Sequence, residues 1–249
     1  MERIIRYFKY LRELVLYFVL LPASLIYNKN REVYLVSERG TDARDNGYHF
    51  FKYLRRQHPE IEAYYVIDKN SPDYDKVARF GKTLQWKSMR HRFIFIGAKY
   101  KISTHIMGFS PNIDFYNKMN EVFPLVGKKI FLQHGITKDD LPQLYEEKTK
   151  LDMFVCGAKP EYDFIRSKFH YKNGEVKYTG LARYDALSNY STENQILIMP
   201  TWRMYFNNQT NEEIEQSVYV KAWNDILSNE RLIEKLKERN LTLFFYPHY

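Results

Sequence analysis

Cysteine is almost absent from this chain: Cys156 is the single one among 249 residues. An intrachain disulfide and any multi-cysteine metal site are thereby excluded, and a reducing compartment is expected, with Cys156 a buried strand residue. The signatures of several enzyme classes are missing too. There is no Walker phosphate loop, no GxGxxG fingerprint, no HExxH and no paired-carboxylate motif, so kinase, dehydrogenase and zinc-protease chemistry have little support. No cofactor is implied, and no acidic cluster calls for a metal ion. Repeats and low-complexity tracts are lacking, as is the compact basic and aromatic motif of a nucleic-acid reader.

The charge that is present leans one way. Lys and Arg number 38 against 30 Asp and Glu, a net +8 with pI near 9.2. That excess favours anionic partners such as phospholipid headgroups or phosphate polymers. The 22 Tyr and 17 Phe sit largely in apolar stretches such as Phe93-Ile94-Phe95-Ile96, which suits core or membrane-interface packing better than base stacking. At the N-terminus Arg3, Arg6, Lys9 and Arg12 precede an uncharged run from Leu14 to Tyr27. The run falls short of the roughly 20 apolar residues of a spanning helix. Residues 1–30 are therefore expected to form a basic amphipathic segment lying on an anionic membrane surface. A signal peptide shares the same pattern, with Pro22-Ala23-Ser24 after the apolar run.

Short apolar strands alternate with helices along the rest of the chain. Strands are expected at 32–37, 61–67, 100–103, 129–132, 153–156, 176–178, 196–199 and 241–245, and helices between them, including 45–57 and 88–100. This alternation predicts an α/β fold with parallel sheets covered by helices. The polar stretch Ser188–Asn194 marks the boundary between a body at 31–190 and a second region at 191–249.

Chemistry gathers where the strands end. Lys129-Ile130-Phe131-Leu132-Gln133-His134-Gly135 places a histidine and a glycine where an apolar run stops, with Asp139 and Asp140 just beyond. Residues at the carboxyl end of a buried parallel strand face the crevice where such folds bind ligands, and imidazole suits proton transfer near neutral pH. Tyr178-Thr179-Gly180 with Arg183 and Asp185, then Pro200-Thr201-Trp202-Arg203, then Pro247-His248 repeat the theme. Two histidines and two arginines at strand ends suit phosphate esters, because arginine holds anionic oxygens and histidine moves protons. The segment Arg39–Gly47 offers backbone amides to a phosphate at a helix start, or is a plain turn capped by Asp45. His105, also at a strand end, either lines the cleft or makes structural hydrogen bonds.

In this order the four motifs resemble those of the CDP-glycerol glycerophosphotransferases, the teichoic acid primases and polymerases of Gram-positive bacteria. The resemblance implies a glycosyltransferase-B-like fold of two Rossmann-type lobes. The N-terminal acceptor-side lobe is expected to be complete and the C-terminal donor-side lobe incomplete, since the family's serine-rich donor segment after the proline-histidine pair has no counterpart here. Ala182 before Arg183 also departs from the family's proline. The implied reaction moves glycerol phosphate, or ribitol phosphate, from a CDP-glycerol or CDP-ribitol donor to a lipid-linked teichoic acid or capsule acceptor, at the cytoplasmic face of the membrane. By the same resemblance His134 is the general base and His248 bonds the donor phosphates. Arg203 and Arg183 neutralise charge, and Asp139 or Asp140 orients His134 or binds acceptor hydroxyls. Gly135, Thr179, Gly180, Asp185 and Thr201 complete the expected phosphate-binding set. Two rivals remain at this point: a noncatalytic, partner-dependent acceptor-binding membrane protein, and a glycosyltransferase using a nucleotide sugar.

Overall fold

The computed structural model describes residues 2–189, 193–201 and 203–247, the side chains of 2–6, 188 and 189 excepted. The chain divides into two compact units, Met1–Ser188 and Asn189–Tyr249. The first runs α1 (Glu2–Asn28), β1 (Tyr34–Ser37), α2 (Asn46–Gln57), β2 (Ala63–Ile67), α3 (Tyr74–Ala78), β3 (Lys82–Gln85), α4 (Met89–Gly97), β4 (Tyr100–Ser103), α5 (Ile113–Val122), β5 (Lys128–Phe131), α6 (Glu146–Thr149), β6 (Met153–Cys156), α7 (Lys159–Lys168) and β7 (Val176–Tyr178).

Its seven strands are parallel throughout, in the order β3-β2-β1-β4-β5-β6-β7. The expected α/β class and Rossmann-type sheet are therefore present. Both faces are covered, which is why β2 reads as an unbroken buried run, Ala63 to Ile67. Alternation along each strand assigns side chains to opposite layers. Leu35 packs with Phe95, Phe115 and Tyr17 on one face; Val36 packs with Phe51, Leu54 and Val77 on the other. A third cluster, built on Phe131, Phe154, Phe169 and the buried Cys156, closes the β5–β7 side.

Local chemistry sets the helix ends. Asp45 caps α2 by accepting from the Asn46 amide, and Arg55 and Arg56 occupy its last turn, where cations are favoured. Ser88 caps α4 through the His91 amide. One strand escaped the sequence reading: β3, with the sequence Lys-Thr-Leu-Gln, buries only Leu84 and lacks an apolar run.

The N-terminal helix belongs to the first unit. Tyr17 reaches the core, Ser24 donates to the Phe93 carbonyl, and the buried Glu13 carboxylate takes the Nε and Nη2 donors of Arg92 on α4. Removing one member of such a buried pair costs about 3–5 kcal/mol. Residues Tyr7–Asn28 are long and apolar enough to cross a membrane by length and composition, which corrects the shorter reading from the uncharged run alone. The helix face turned from α4 is bare and apolar, with Val19 68% and Ile26 76% exposed.

The second unit pairs β8 (Gln195–Ile198) in parallel with β9 (Thr242–Phe245), and between them run α8 (Asn211–Glu215), α9 (Val218–Leu227) and α10 (Glu230–Glu238). Thr210 and Glu213 form a reciprocal capping box at α8. Phe206, Tyr219, Trp223 and Phe245 meet in T-shaped and tilted ring contacts as its apolar centre.

Candidate active site

The sheet of the first unit reverses its winding between β1 and β4, and open α/β sheets bind ligands outside the carboxyl ends of strands at such a point. His134 lies beyond β5, beside that point. Its Nδ1 is 2.9 Å from the Thr104 carbonyl oxygen. A carbonyl only accepts, so Nδ1 carries a proton, and in the neutral ring Nε2 is the nitrogen with the lone pair. The His105 ring stacks on His134 with centroids 4.2 Å apart and planes 14° from parallel. Burial, with smaller contributions from His134 and Arg39, pushes the pKa of His105 down to about 3. A neutral ring is thus held flat against His134. Thr104 serves both rings, its carbonyl meeting His134 and its hydroxyl lying 2.9 Å from His105 Nδ1.

The loop carrying His134 is fixed from below. Gln133 adopts φ 59° and is buried, a left-handed conformation uncommon for a side chain of its size. Its Oε1 accepts from the His134 amide and its Nε2 donates to Thr137. Asn46, fully buried at the start of α2, donates to the Gln133 carbonyl at 2.6 Å and accepts from the Arg183 amide at 3.1 Å. Arg183 then donates through Nη1 to Asp45 at 2.8 Å and to the His134 carbonyl at 2.9 Å. Two predicted residues, His134 and Arg183, therefore meet through Asp45 and Asn46.

Other expectations need correction. Neither Asp139 nor Asp140 orients His134, because the Thr104 carbonyl already holds its Nδ1. Asp140 accepts instead from the Tyr145 hydroxyl at 2.8 Å, and Asp139 is exposed. The Arg39–Gly47 segment does not present its helix-start amides to a ligand. The buried Glu38 carboxylate accepts from the amides of Arg44, Asp45 and Tyr48, and Asp73 accepts from that of Ala43. Desolvation outweighs these bonds and raises the Glu38 pKa. Gly135 has nothing within 4 Å of the position a Cβ would take, so it opens space beside His134, whereas Gly180 at φ 79° answers a backbone demand. Thr179 bonds the Gly180 carbonyl, and Thr179 and Asp185 are exposed on this loop.

In the second unit, Thr201 and Arg203 line a cavity of about 140 Å³ with Phe206, Tyr219, Trp223 and Pro247. The Arg203 guanidinium lies 4.7 Å from the Tyr219 ring centroid, and the Tyr219 hydroxyl donates to the Thr201 carbonyl. The segment after β8 and the proline after β9 thus share one wall. His248 and Trp202 lie outside the described residues. No group of three or more His, Cys, Asp or Glu able to hold a metal occurs among the described residues.

With a strand-end histidine held by a backbone carbonyl and an arginine fixed beside it, comparison with known proteins decides the family. Residues 18–249 match the family model of CDP-glycerol:poly(glycerophosphate) glycerophosphotransferase. The chain belongs to that family. It is 33% identical over 236 residues to the minor teichoic acid biosynthesis protein GgaB of Bacillus subtilis (strain 168), a match covering 90% of this chain and 26% of GgaB. The fold is similar to that of the wall teichoic acid polymerase TagF, with a TM-score of 0.60 at 13% identity, over 100% of this chain and 66% of the TagF chain. A histidine-to-asparagine variant of TagF soaked with CDPG matches with a TM-score of 0.57 at 13% identity. The chain thus spans about a quarter of the length of GgaB and just under two thirds of the solved TagF chain. The α/β, glycosyltransferase-B-like class expected from the motifs agrees with this likeness.

Proposed function

We propose that this member of the glycerophosphotransferase family transfers glycerol phosphate from CDP-glycerol to a lipid-linked teichoic acid or capsule acceptor, its first unit serving the acceptor. The observation that carries this reading is the His134 geometry: Nδ1 is tied to a backbone carbonyl and Nε2 is left with its lone pair beside the opening at Gly135. In the reaction, an acceptor hydroxyl attacks the β-phosphorus of the donor as His134 Nε2 takes its proton. The bond from that phosphorus to the oxygen of the departing CMP breaks, and the electron pair leaves with CMP. Positioning and charge stabilisation supply most of the acceleration in such transfers. Arg183 contributes by fixing the His134 loop rather than as a detached phosphate clamp, since its Nη1 is committed to Asp45 and the His134 carbonyl. Arg203 and Thr201, with His248, form the donor-phosphate set of the second unit. CDP-ribitol is the alternative donor.

The likeness to GgaB and TagF, both teichoic acid proteins, and the CDPG soak of TagF support the donor and pathway. The bare apolar face of α1 and the +8 charge support peripheral attachment to the cytoplasmic face of the membrane. Docking of the other face of α1 through Glu13, Tyr17 and Ser24 argues against its crossing the bilayer.

His134→Ala should lower CMP release from CDP-glycerol by about 10²- to 10⁴-fold, the usual worth of a general base. Thermal stability should fall by only about 1 kcal/mol, since an exposed residue loses one hydrogen bond and one ring contact. Near-normal release by that variant removes His134 from the mechanism, and release of UDP or GDP from a sugar donor by the wild type replaces the alditol-phosphate reading.

A further inference from the structure

A second concave site lies at the opposite edge of the sheet, before the strands begin. It is a cavity of about 630 Å³ between the end of α1, the start of β4 and the loop before β5. Its back wall contains two glycines whose side-chain positions are already taken. A Cβ on Gly97 would meet Asn28 Nδ2 at 2.5 Å, and one on Gly127, at φ 85°, would meet the Ala98 carbonyl at 2.2 Å. Lys101, fully buried behind this wall, donates to the carbonyls of Ala98 and Val126 and so fixes the two segments that flank the opening.

The lining has one dominant charge. Lys29, Arg31 and Lys99 stand against Glu32. Arg31 is held by Glu62, and Lys99 by Glu32, whereas Lys29 is exposed. The rim is apolar: Leu25 and Val126 border the cavity and are partly exposed. That rim continues onto exposed apolar surface. Phe18 of α1 meets Phe123 edge-on at 5.8 Å, just before Val126, and Val122 beside it is 69% exposed.

We propose that this cavity binds the headgroup of an anionic phospholipid, with the acyl chains running along the bare face of α1. The shape and charge match that ligand on three counts. The volume falls in the range of small-molecule pockets, about 300–1,000 Å³. Lys29, the lining cation with no carboxylate partner among the described residues, is left to meet a phosphate, and apolar surface begins at the rim where a phosphodiester gives way to hydrocarbon. The catalytic crevice lies at the other edge of the same sheet, so the headgroup site holds the enzyme to the bilayer without occupying its reaction centre.

This inference rests on the membrane-associated reading above, and the test separates the two. The full chain is titrated with vesicles of phosphatidylcholine alone and of phosphatidylcholine with phosphatidylglycerol. An environment-sensitive dye on Val126→Cys reports occupancy, since Cys156 is fully buried and does not compete for label. The wild type should prefer the anionic vesicles, and Lys29→Gln should lose about fivefold in that affinity, with its unfolding temperature unchanged. The control Lys172→Gln, which removes equal charge elsewhere, should lose far less. Equal losses in the two variants, or none in the first, overturn the cavity assignment while leaving membrane attachment standing. Failure of the wild type to bind either vesicle overturns the attachment itself. A dye response to free glycerol phosphate without vesicles assigns the cavity to a soluble phosphate and overturns the lipid source.

Discussion

The two units of this chain end their strands in the same way and bury them differently. In the first unit, residues from β1, β2, β4, β5 and β6 are fully enclosed, Phe131 and Phe154 among them at 0% exposure. In the second, both strands of the sheet keep apolar side chains in solvent, and Val218 on α9 is 84% exposed. A motif at a strand end is only as well positioned as the strand beneath it. His134 is held by Thr104, Gln133 and, through Arg183, by Asp45, over a sheet covered on both faces. Arg203 lies over the Tyr219 ring and donates to the Thr201 carbonyl, in a unit whose strands are open to solvent. The first unit therefore gives its strand-end residues the more enclosed frame.

The contrast can be broken by substitution. Phe154→Ala should cost about 3–5 kcal/mol in urea unfolding, from lost burial and the cavity left behind, while Val218→Ala should stay within about 0.5 kcal/mol. Similar costs at the two positions would mean that the second unit is as enclosed as the first. Acid should sharpen the difference. His91 is fully buried and its pKa is pushed down to about 3 from 6.5 by burial, with Arg92 adding to the shift. The unfolded chain takes up this proton below pH 6.5 and the folded chain does not, so stability falls as pH drops from 6.5 toward 3. The loss at pH 5 is about 2 kcal/mol. His105, lowered in the same direction, adds to it. Since His248 is the only histidine in the sequence of the second unit, peptide-resolved hydrogen exchange should show acid loosening in the first unit and little change between 195 and 245. Smallest is the capping box: Thr210→Ala should cost about 1 kcal/mol, seen as faster exchange in 211–215 alone.

Much of the frame was legible in the residues. The bounds of the strands at Tyr100–Ser103, Met153–Cys156 and Val176–Tyr178 are those expected from the sequence, where apolar residues run together or alternate with a lysine over three or four positions. β3 was not expected, since an edge strand with a single buried side chain has no periodicity to read. In the site, His134 could be found from its place after a strand, and Arg183 likewise. What orients them could not. The Thr104 carbonyl is a backbone acceptor that any residue would supply, and Asn46 reaches Gln133 across 87 positions of sequence. For Asp139 and Asp140, proximity in sequence suggests a contact with His134 that the turn directs elsewhere, while their other expected role, binding acceptor hydroxyls, does not depend on that contact. Glu38 went unnoticed because a lone carboxylate after a strand looks like surface until its three amide partners are seen.

The place where the sheet reverses also dictates an order of assembly during synthesis. β1 pairs with β2 on one side, but its other edge stays open until Tyr100–Ser103 has been made, because Tyr34 registers against Tyr100. Each later strand then adds to the edge just created, β4, β5, β6 and β7 in turn. α1 docks on α4, so it too has no partner until Met89–Gly97 leaves the ribosome. Local pairings close early and distant ones late, as loop entropy requires. For that interval the whole circumference of the first helix, including the side destined for Arg92, is available to whatever surface it meets.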